Sequence, residues 1–271
     1  MKKSILVICL MLAVSVMLVG CDNEPVVDEV QGTQTSTTTP NNSGDDNEMK
    51  ETNPNEAAIA KAKAEANKYA EIENNPVVTM VIKDMGTIKM ELFPKTAPES
   101  VENFISLINS GFYNGLTFHR TIPGFMAQGG CPLGTGTGGP DYGVIGEFSA
   151  NGITNNVSHT RGVLSMARSN DMNSAGSQFF IVTTDSTFLD GQYAAFGQVL
   201  EGMDVADQIV NSEVHLREAD IMNMQITTME QYMEVMGKLD KPVNPPVIES
   251  ITVDTFGVTY DEPEKLVQVE E

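Results

Sequence analysis

The chain has no tryptophan, three cysteines, three histidines and few cations for its 271 residues. Each scarcity removes a class of function. Sixteen Lys and Arg face 37 Asp and Glu, a formal net charge of −21. Such a chain repels nucleic acid phosphates and anionic lipid headgroups, which excludes nucleic acid as a partner. His119, His159 and His215 show no metal-ligand spacing, and neither CxxC nor HExxH occurs, so no metal is expected. His119 and His159 read as structural. Cys9 lies in an apolar leader, Cys21 ends it, and Cys131 stands alone in the interior. With the leader removed and Cys21 blocked, one thiol remains and no intrachain disulfide can form. Apolar side chains are in ordinary supply at 41%, enough for a globular core.

Residues 1–20 read as a secretory signal. Lys2 and Lys3 precede an apolar run, Ile5 to Val19, that is short against the roughly 20 residues a membrane span needs. The run ends in Leu18-Val19-Gly20-Cys21, which resembles a bacterial lipobox. The resemblance implies diacylglycerol on Cys21 and a location on the extracytoplasmic face of the cell membrane. Acyl chains hold by about 0.8 kcal/mol per buried CH₂, so more than one chain anchors firmly. Residues 21–55 are acidic and poor in apolar side chains, so they are expected to form a disordered tether reaching roughly 30 Å. Residues 56–75 are rich in Ala, Lys and Glu and favour a helix. Because its apolar content is mostly Ala, it is expected to be a solvated spacer.

From residue 76 to 257 the pattern is that of a folded domain, followed by an acidic tail at 258–271. Val77–Lys83 and Thr87–Phe93 flank a turn at Asp84-Met85-Gly86 and read as a hairpin. Val101, Phe104, Ile105 and Ile108 recur at helical spacing within Pro98–Asn109, with Thr96 as the expected cap. Further strands are expected at Leu116–Arg120, Phe125–Gln128, Val163–Ala167, Gln178–Val182, Ala194–Leu200 and Val247–Phe256, with a second helix at Met203–Val210. Many short strands, two helices and Gly-rich turns predict a mainly β fold, an antiparallel barrel whose ends are covered by helices. Gly134 to Gly139 is Gly-rich but lacks a Gly-Lys-Ser/Thr ending, so it is a loop and not a phosphate cradle.

Three segments carry a resemblance. They are Phe118-His119-Arg120-Thr121-Ile122-Pro123-Gly124-Phe125-Met126-Ala127-Gln128-Gly129-Gly130, then Gly162 to Arg168 continuing through Ser174 to Ile181, then Phe188-Leu189-Asp190-Gly191 through Gly197. In order and separation they are similar to cyclophilin-type peptidyl-prolyl cis–trans isomerases over about residues 77–256. The resemblance implies a closed eight-stranded antiparallel β-barrel capped by two α-helices, rotation about Xaa–Pro bonds, and no cofactor. It makes Arg120 the catalytic residue. Phe125, Met126, Phe180 and Leu189 would line the proline pocket, with Gln128 orienting the substrate carbonyl. Ala167 and Arg168 lie where family members bind peptide backbone, and Gln178 faces the groove.

The chemistry suits those residue types. A planar peptide bond resists rotation by about 18–20 kcal/mol. A donor aimed at the nitrogen lone pair that localises in the twisted state favours the transition state over the ground state. About 7 kcal/mol of such preference gives roughly 10⁵-fold acceleration. Phe188 stands where many members have Trp, which predicts weakened cyclosporin binding. Tyr193 replaces His and Arg168 replaces Asn. The expected partners are proline-containing unfolded or exported polypeptides; the alternative is a holdase chaperone that uses the groove without needing turnover. An insertion at 211–246 is longer than usual and carries Met222, Met224, Met229, Met233 and Met236. It is expected either to pack on the barrel or to offer an adaptable contact for unfolded clients.

Overall fold

The computed structural model describes residues 54–267, apart from residue 223. The leader, Cys21 and most of the tether lie outside the described residues. Helix α1 (Pro54–Lys68) precedes strands β1 (Val77–Ile82) and β2 (Gly86–Leu92), helix α2 (Pro98–Asn109), and strands β3 (Phe118–Ile122) and β4 (Met126–Gly129). Strands β5 (Val163–Met166), β6 (Phe179–Val182) and β7 (Ala195–Glu201) follow. Helix α3 (Met203–Val210), the short helices α4 (Glu218–Ile221) and α5 (Met229–Met236), and strand β8 (Ile248–Asp254) complete the elements of the described residues.

The eight strands form one antiparallel sheet in the order β3-β4-β6-β5-β7-β2-β1-β8. The sheet does not close into the expected barrel, because β3 and β8 share no ladder. A single bridge, Thr117 with Val247, spans the gap, supported by Phe118 N donating to Pro246 O and Ile248 N to Leu116 O. Pro245 and Pro246 lie where β8 would have to extend. Proline has no N–H, so this stretch cannot supply a ladder. The sheet curves round a core of Met80, Met90, Phe104, Phe118, Phe179 and Phe196. Helices α2 and α3 cap it with their apolar faces.

Helix α2 is not capped by Thr96. Its N-cap residue is Ala97, which makes no side-chain cap bond. The buried Glu147 serves instead: its carboxylate accepts from Glu99 N at 3.0 Å, Ser100 N at 2.8 Å and Ser100 Oγ at 2.6 Å. An anion at a helix N-terminus satisfies its orphan donors and its dipole. Burial nonetheless pushes the Glu147 carboxyl up to about 8, against the pull of those donors.

Helix α1 is not a solvated spacer. Ala58 and Ala62 are buried with Ile145 and Ile153, and Lys61 Nζ reaches Glu99 Oε1 at 2.9 Å. Tyr69 stacks on Tyr260, ring centroids 4.8 Å apart. The segment after β8 therefore straps α1 to the domain. Leu266 pairs with Gly143, and Glu264 N donates to Glu99 Oε2.

The insertion lies against β3. Thr121 N donates to Asp240 O at 2.9 Å, and Arg217 Nη1 donates to Thr121 O. Arg217 also holds Asp240 Oδ1 at 3.2 Å. An edge strand presents unpaired backbone groups; here the insertion takes both of Thr121's.

Candidate active site

Strand periodicity places the site on the outer face of the sheet. In β6, Phe179 and Ile181 point into the main core, while Phe180 and Val182 join a second apolar cluster. In β5, Leu164 and Met166 point inward and Val163 outward. These strands are buried on both faces, so their sequence shows no alternation.

Register then builds a row. Arg120 pairs with Gln128, Gln128 with Phe180, Phe180 with Ser165, and Ser165 with Ala195. Residues directly paired across strands share a face. The row therefore runs from a cation through an amide to an aromatic ring. A β-bulge makes its first member possible. The register of β3 against β4 shifts between Phe118 and Arg120, so two residue steps on β3 oppose one on β4. A bulge re-aims side chains: Phe118 enters the core, while Arg120 is exposed beside Gln128.

The apolar cluster holds Met126, Val163, Phe180, Val182, Leu189 and Ala195, with Phe125, Ala167 and Tyr193 partly buried against it. The structure thus brings together Phe125, Met126, Phe180, Leu189, Ala167 and Tyr193. Tyr193 meets Phe180 edge-on at 6.0 Å. Phe188 stays 64% exposed and packs on Phe125 with centroids 5.5 Å apart, a rim with a ring but no N–H.

The polar members are tied down. Gln128 Nε2 donates to Gln178 Oε1 at 2.9 Å, which leaves one amide N–H of Gln128 for another acceptor. Gln178 Nε2 donates to Gly136 O and Gly138 O, both at 2.8 Å. Gln178 therefore holds the Gly-rich loop and positions Gln128. Gly130 enters that loop with φ +84°, and a Cβ there would lie 2.4 Å from Ser177 O, so only glycine fits. Arg168 folds over the Tyr193 ring at 4.8 Å and the Phe148 ring at 5.2 Å, while its Nε donates to Gln192 O. Its side chain fixes the Tyr193 loop. Gln128, Gln178, Ala167 and Arg168 border a cavity of about 420 Å³.

Two histidines support the row. His159 is fully buried; its Nδ1 lies 2.8 Å from Asp190 Oδ1 and its Nε2 3.0 Å from Ser165 Oγ. Its ring stacks near Phe180 at 6.3 Å. Burial lowers its pKa although Asp190 pulls it up. His119, the bulge residue, is 5% exposed, and neither ring nitrogen makes a hydrogen bond of good geometry. Burial is the largest cause that lowers it to about 4. Sequence reasoning missed the His159–Asp190–Ser165 chain and the Met236–Lys241 segment described below. Asp190 sits in the Phe188-Leu189-Asp190-Gly191 motif, the one sequence signal that pointed to that chain.

Residues 77–231 match the family model for cyclophilin type peptidyl-prolyl cis–trans isomerases. Peptidyl-prolyl cis–trans isomerase B of Bacillus subtilis is 47% identical over 134 residues, covering 49% of this chain and 90% of that protein. A peptidyl-prolyl cis–trans isomerase of Helicobacter pylori is 47% identical over 131 residues, covering 48% of this chain and 77% of that protein. A cyclophilin type isomerase of Cryptosporidium parvum, solved in the presence of the dipeptide Ala-Pro, superposes with a TM-score of 0.52 at 29% identity. That match covers 66% of this chain and 98% of the other. The chain is a member of the cyclophilin-type peptidyl-prolyl cis–trans isomerase family.

Proposed function

We propose that this isomerase turns over Xaa–Pro bonds on the outer face of β4, β6 and β5, with Arg120 as the catalytic residue. One observation carries the reading: the register row that sets the exposed Arg120 beside Gln128 and Phe180, at the edge of the apolar cluster. The proline ring enters the space bounded by Phe125, Met126, Phe180 and Leu189. The remaining Gln128 N–H holds the substrate carbonyl. As the bond twists, the proline nitrogen pyramidalises and its lone pair becomes an acceptor. Arg120 donates to it, an interaction absent in the planar ground state, which is what accelerates rotation. A guanidinium brings its charge without tuning, and no covalent step occurs. The solved relative's Ala-Pro dipeptide supports an Xaa–Pro ligand for this chain also.

Replacing Arg120 by Ala tests the assignment. Turnover of an Ala-Pro peptide should fall by about 10²–10³-fold, the usual cost of losing one transition-state donor. Unchanged turnover would remove Arg120 from the mechanism.

The substrates we assign are exported polypeptides that fold slowly at their prolines, since uncatalysed isomerisation takes tens of seconds or more. The Leu18-Val19-Gly20-Cys21 sequence supports a lipid anchor at the extracytoplasmic membrane face. Cys21→Ser should move the protein from the membrane fraction to the soluble fraction; retention in membranes would refute the anchor.

A further inference from the structure

A second cavity, of about 320 Å³, opens on the other side of Arg120. One wall is the site itself, His119, Arg120 and Gln128, continued by the Gly134–Thr137 loop. The facing wall is Met236, Gly237, Leu239 and Lys241 from the insertion. We infer that this cavity is a substrate subsite in which Lys241 selects peptides carrying an acidic side chain next to the proline. The inference rests on the assignment of the Arg120–Gln128 row as the reaction site.

Three observations carry it. First, the insertion wall is fixed to the catalytic strand. Its Asp240 carbonyl and Arg217 guanidinium take the N–H and C=O of Thr121, the residue after Arg120. Asp240 holds a left-handed backbone, φ 53°, between Leu239 and Lys241. A non-glycine residue held there marks a turn fixed by its surroundings. Its carboxylate is engaged by Arg217 at 3.2 Å and also feels the charge of Arg120, whereas Lys241 forms no ion pair among the described residues.

Second, the charge of the lining is opposite to that of the chain. Asp and Glu outnumber Lys and Arg by 37 to 16, yet the lining holds Arg120 and Lys241 and no carboxylate. A wall drawn from this composition would on average hold more carboxylates than cations. Two cations across one small cavity attract a carboxylate and repel a cation.

Third, the buried His119 borders the cavity. After burial, the charges of Arg120 and Lys241 both act to keep its imidazole neutral, so the cavity's cationic field is felt by the group beside it. Met236 and Leu239, both half-buried, cover the stem of the ligand side chain. The Lys241 backbone already has its structural task, since its carbonyl accepts from His215 N. Its side chain can therefore be changed without undoing that bond.

The test uses peptides with Glu, Ala or Lys on either side of the proline, with the natural protein, Lys241→Gln, Lys241→Glu and Arg120→Ala. At one of the two positions Glu should exceed Ala in kcat/KM by about three- to fivefold at low salt, the selectivity of a partly exposed ion pair. The excess should shrink at high salt. The Glu:Ala ratio should fall towards one in Lys241→Gln and invert in Lys241→Glu. Circular dichroism checks that each variant is folded; should Lys241→Glu unfold, Lys241→Gln decides. Equal Glu:Ala ratios in the natural protein and Lys241→Gln would overturn the subsite, as would no Glu preference at either position. Full turnover by Arg120→Ala would instead overturn the site assignment, so the two failures are separable.

Discussion

Arg120 stands between two walls that are built differently. On one side, strands β4, β6 and β5 form a continuous antiparallel ladder and carry Met126, Phe180 and Val163 in one apolar cluster. On the other, the insertion is two short helices and two isolated bridges, Val214 with Pro242 and Leu216 with Leu239. The first wall is buried on both faces. The second leaves Met222, Met229 and Met233 at 78%, 66% and 63% exposure. With the site as proposed, the contrast teaches a division of labour. A proline ring is the same in every substrate, so the rigid strand wall suits it. The residues around it vary, and the proposed subsite offers them adaptable side chains on a few fixed anchors.

The largest effect should come from breaking the strand wall. Phe180→Ala opens a cavity between β4 and β5, and should cost about 3–5 kcal/mol in urea unfolding together with turnover. A loss under about 1 kcal/mol would mean that the cluster is not packed as described.

A smaller effect should come from the bulge between the walls. In the folded protein His119 stays neutral down to about pH 4, whereas the unfolded chain takes up a proton near the ordinary value of 6.5. Between those values the unfolded state binds more protons, so stability falls as pH drops from about 6.5 towards 4. The difference is on the order of 3 kcal/mol. The His119→Gln variant should lack that part of the pH dependence. Parallel unfolding curves for both proteins at pH 7 and pH 5 check it; the same decline in both would contradict a buried neutral imidazole.

The smallest effect sharpens the contrast. Replacing Met222, Met229 and Met233 together by Ser should change stability by less than about 0.5 kcal/mol per site and leave short-peptide turnover intact. Binding to an unfolded protein should weaken. Unchanged client binding would leave these methionines as surface only.

The two walls were also unequally legible in the sequence. Helices α2 and α3 lie where the sequence placed them: α3 buries one face, Val205, Ala206, Ile209 and Val210, and α2 keeps its apolar spacing although its polar residues Glu99, Ser100, Glu102 and Asn103 are buried too. The residues proposed for the proline pocket came from the family resemblance; periodicity could not reveal their cluster, since Phe179 to Val182 is apolar on both faces. The bulge at His119 leaves no local mark. Helix α1 misled because alanine is indifferent to burial: Ala58 and Ala62 read as solvated and are packed. The cap on α2 comes from Glu147, far along the chain from Ser100, and no local pattern predicts it. The open seam lies at Pro245 and Pro246, whose missing N–H groups bar a ladder there, a signal that the sequence carries but a count of strands does not use. The clamp of Arg217 and Asp240 on Thr121 is a long-range contact, and no spacing encodes it.

The most direct test asks whether Arg120 serves the transition state or the ground state. A chemical-shift titration of Arg120→Ala with an Ala-Pro peptide gives affinity, and exchange broadening gives cis–trans turnover on the same samples. The account predicts affinity within about threefold of the natural protein and turnover lower by about 10²–10³-fold, a loss confined to kcat. A fall in affinity as large as the fall in turnover would contradict it, and would make Arg120 a peptide-binding residue.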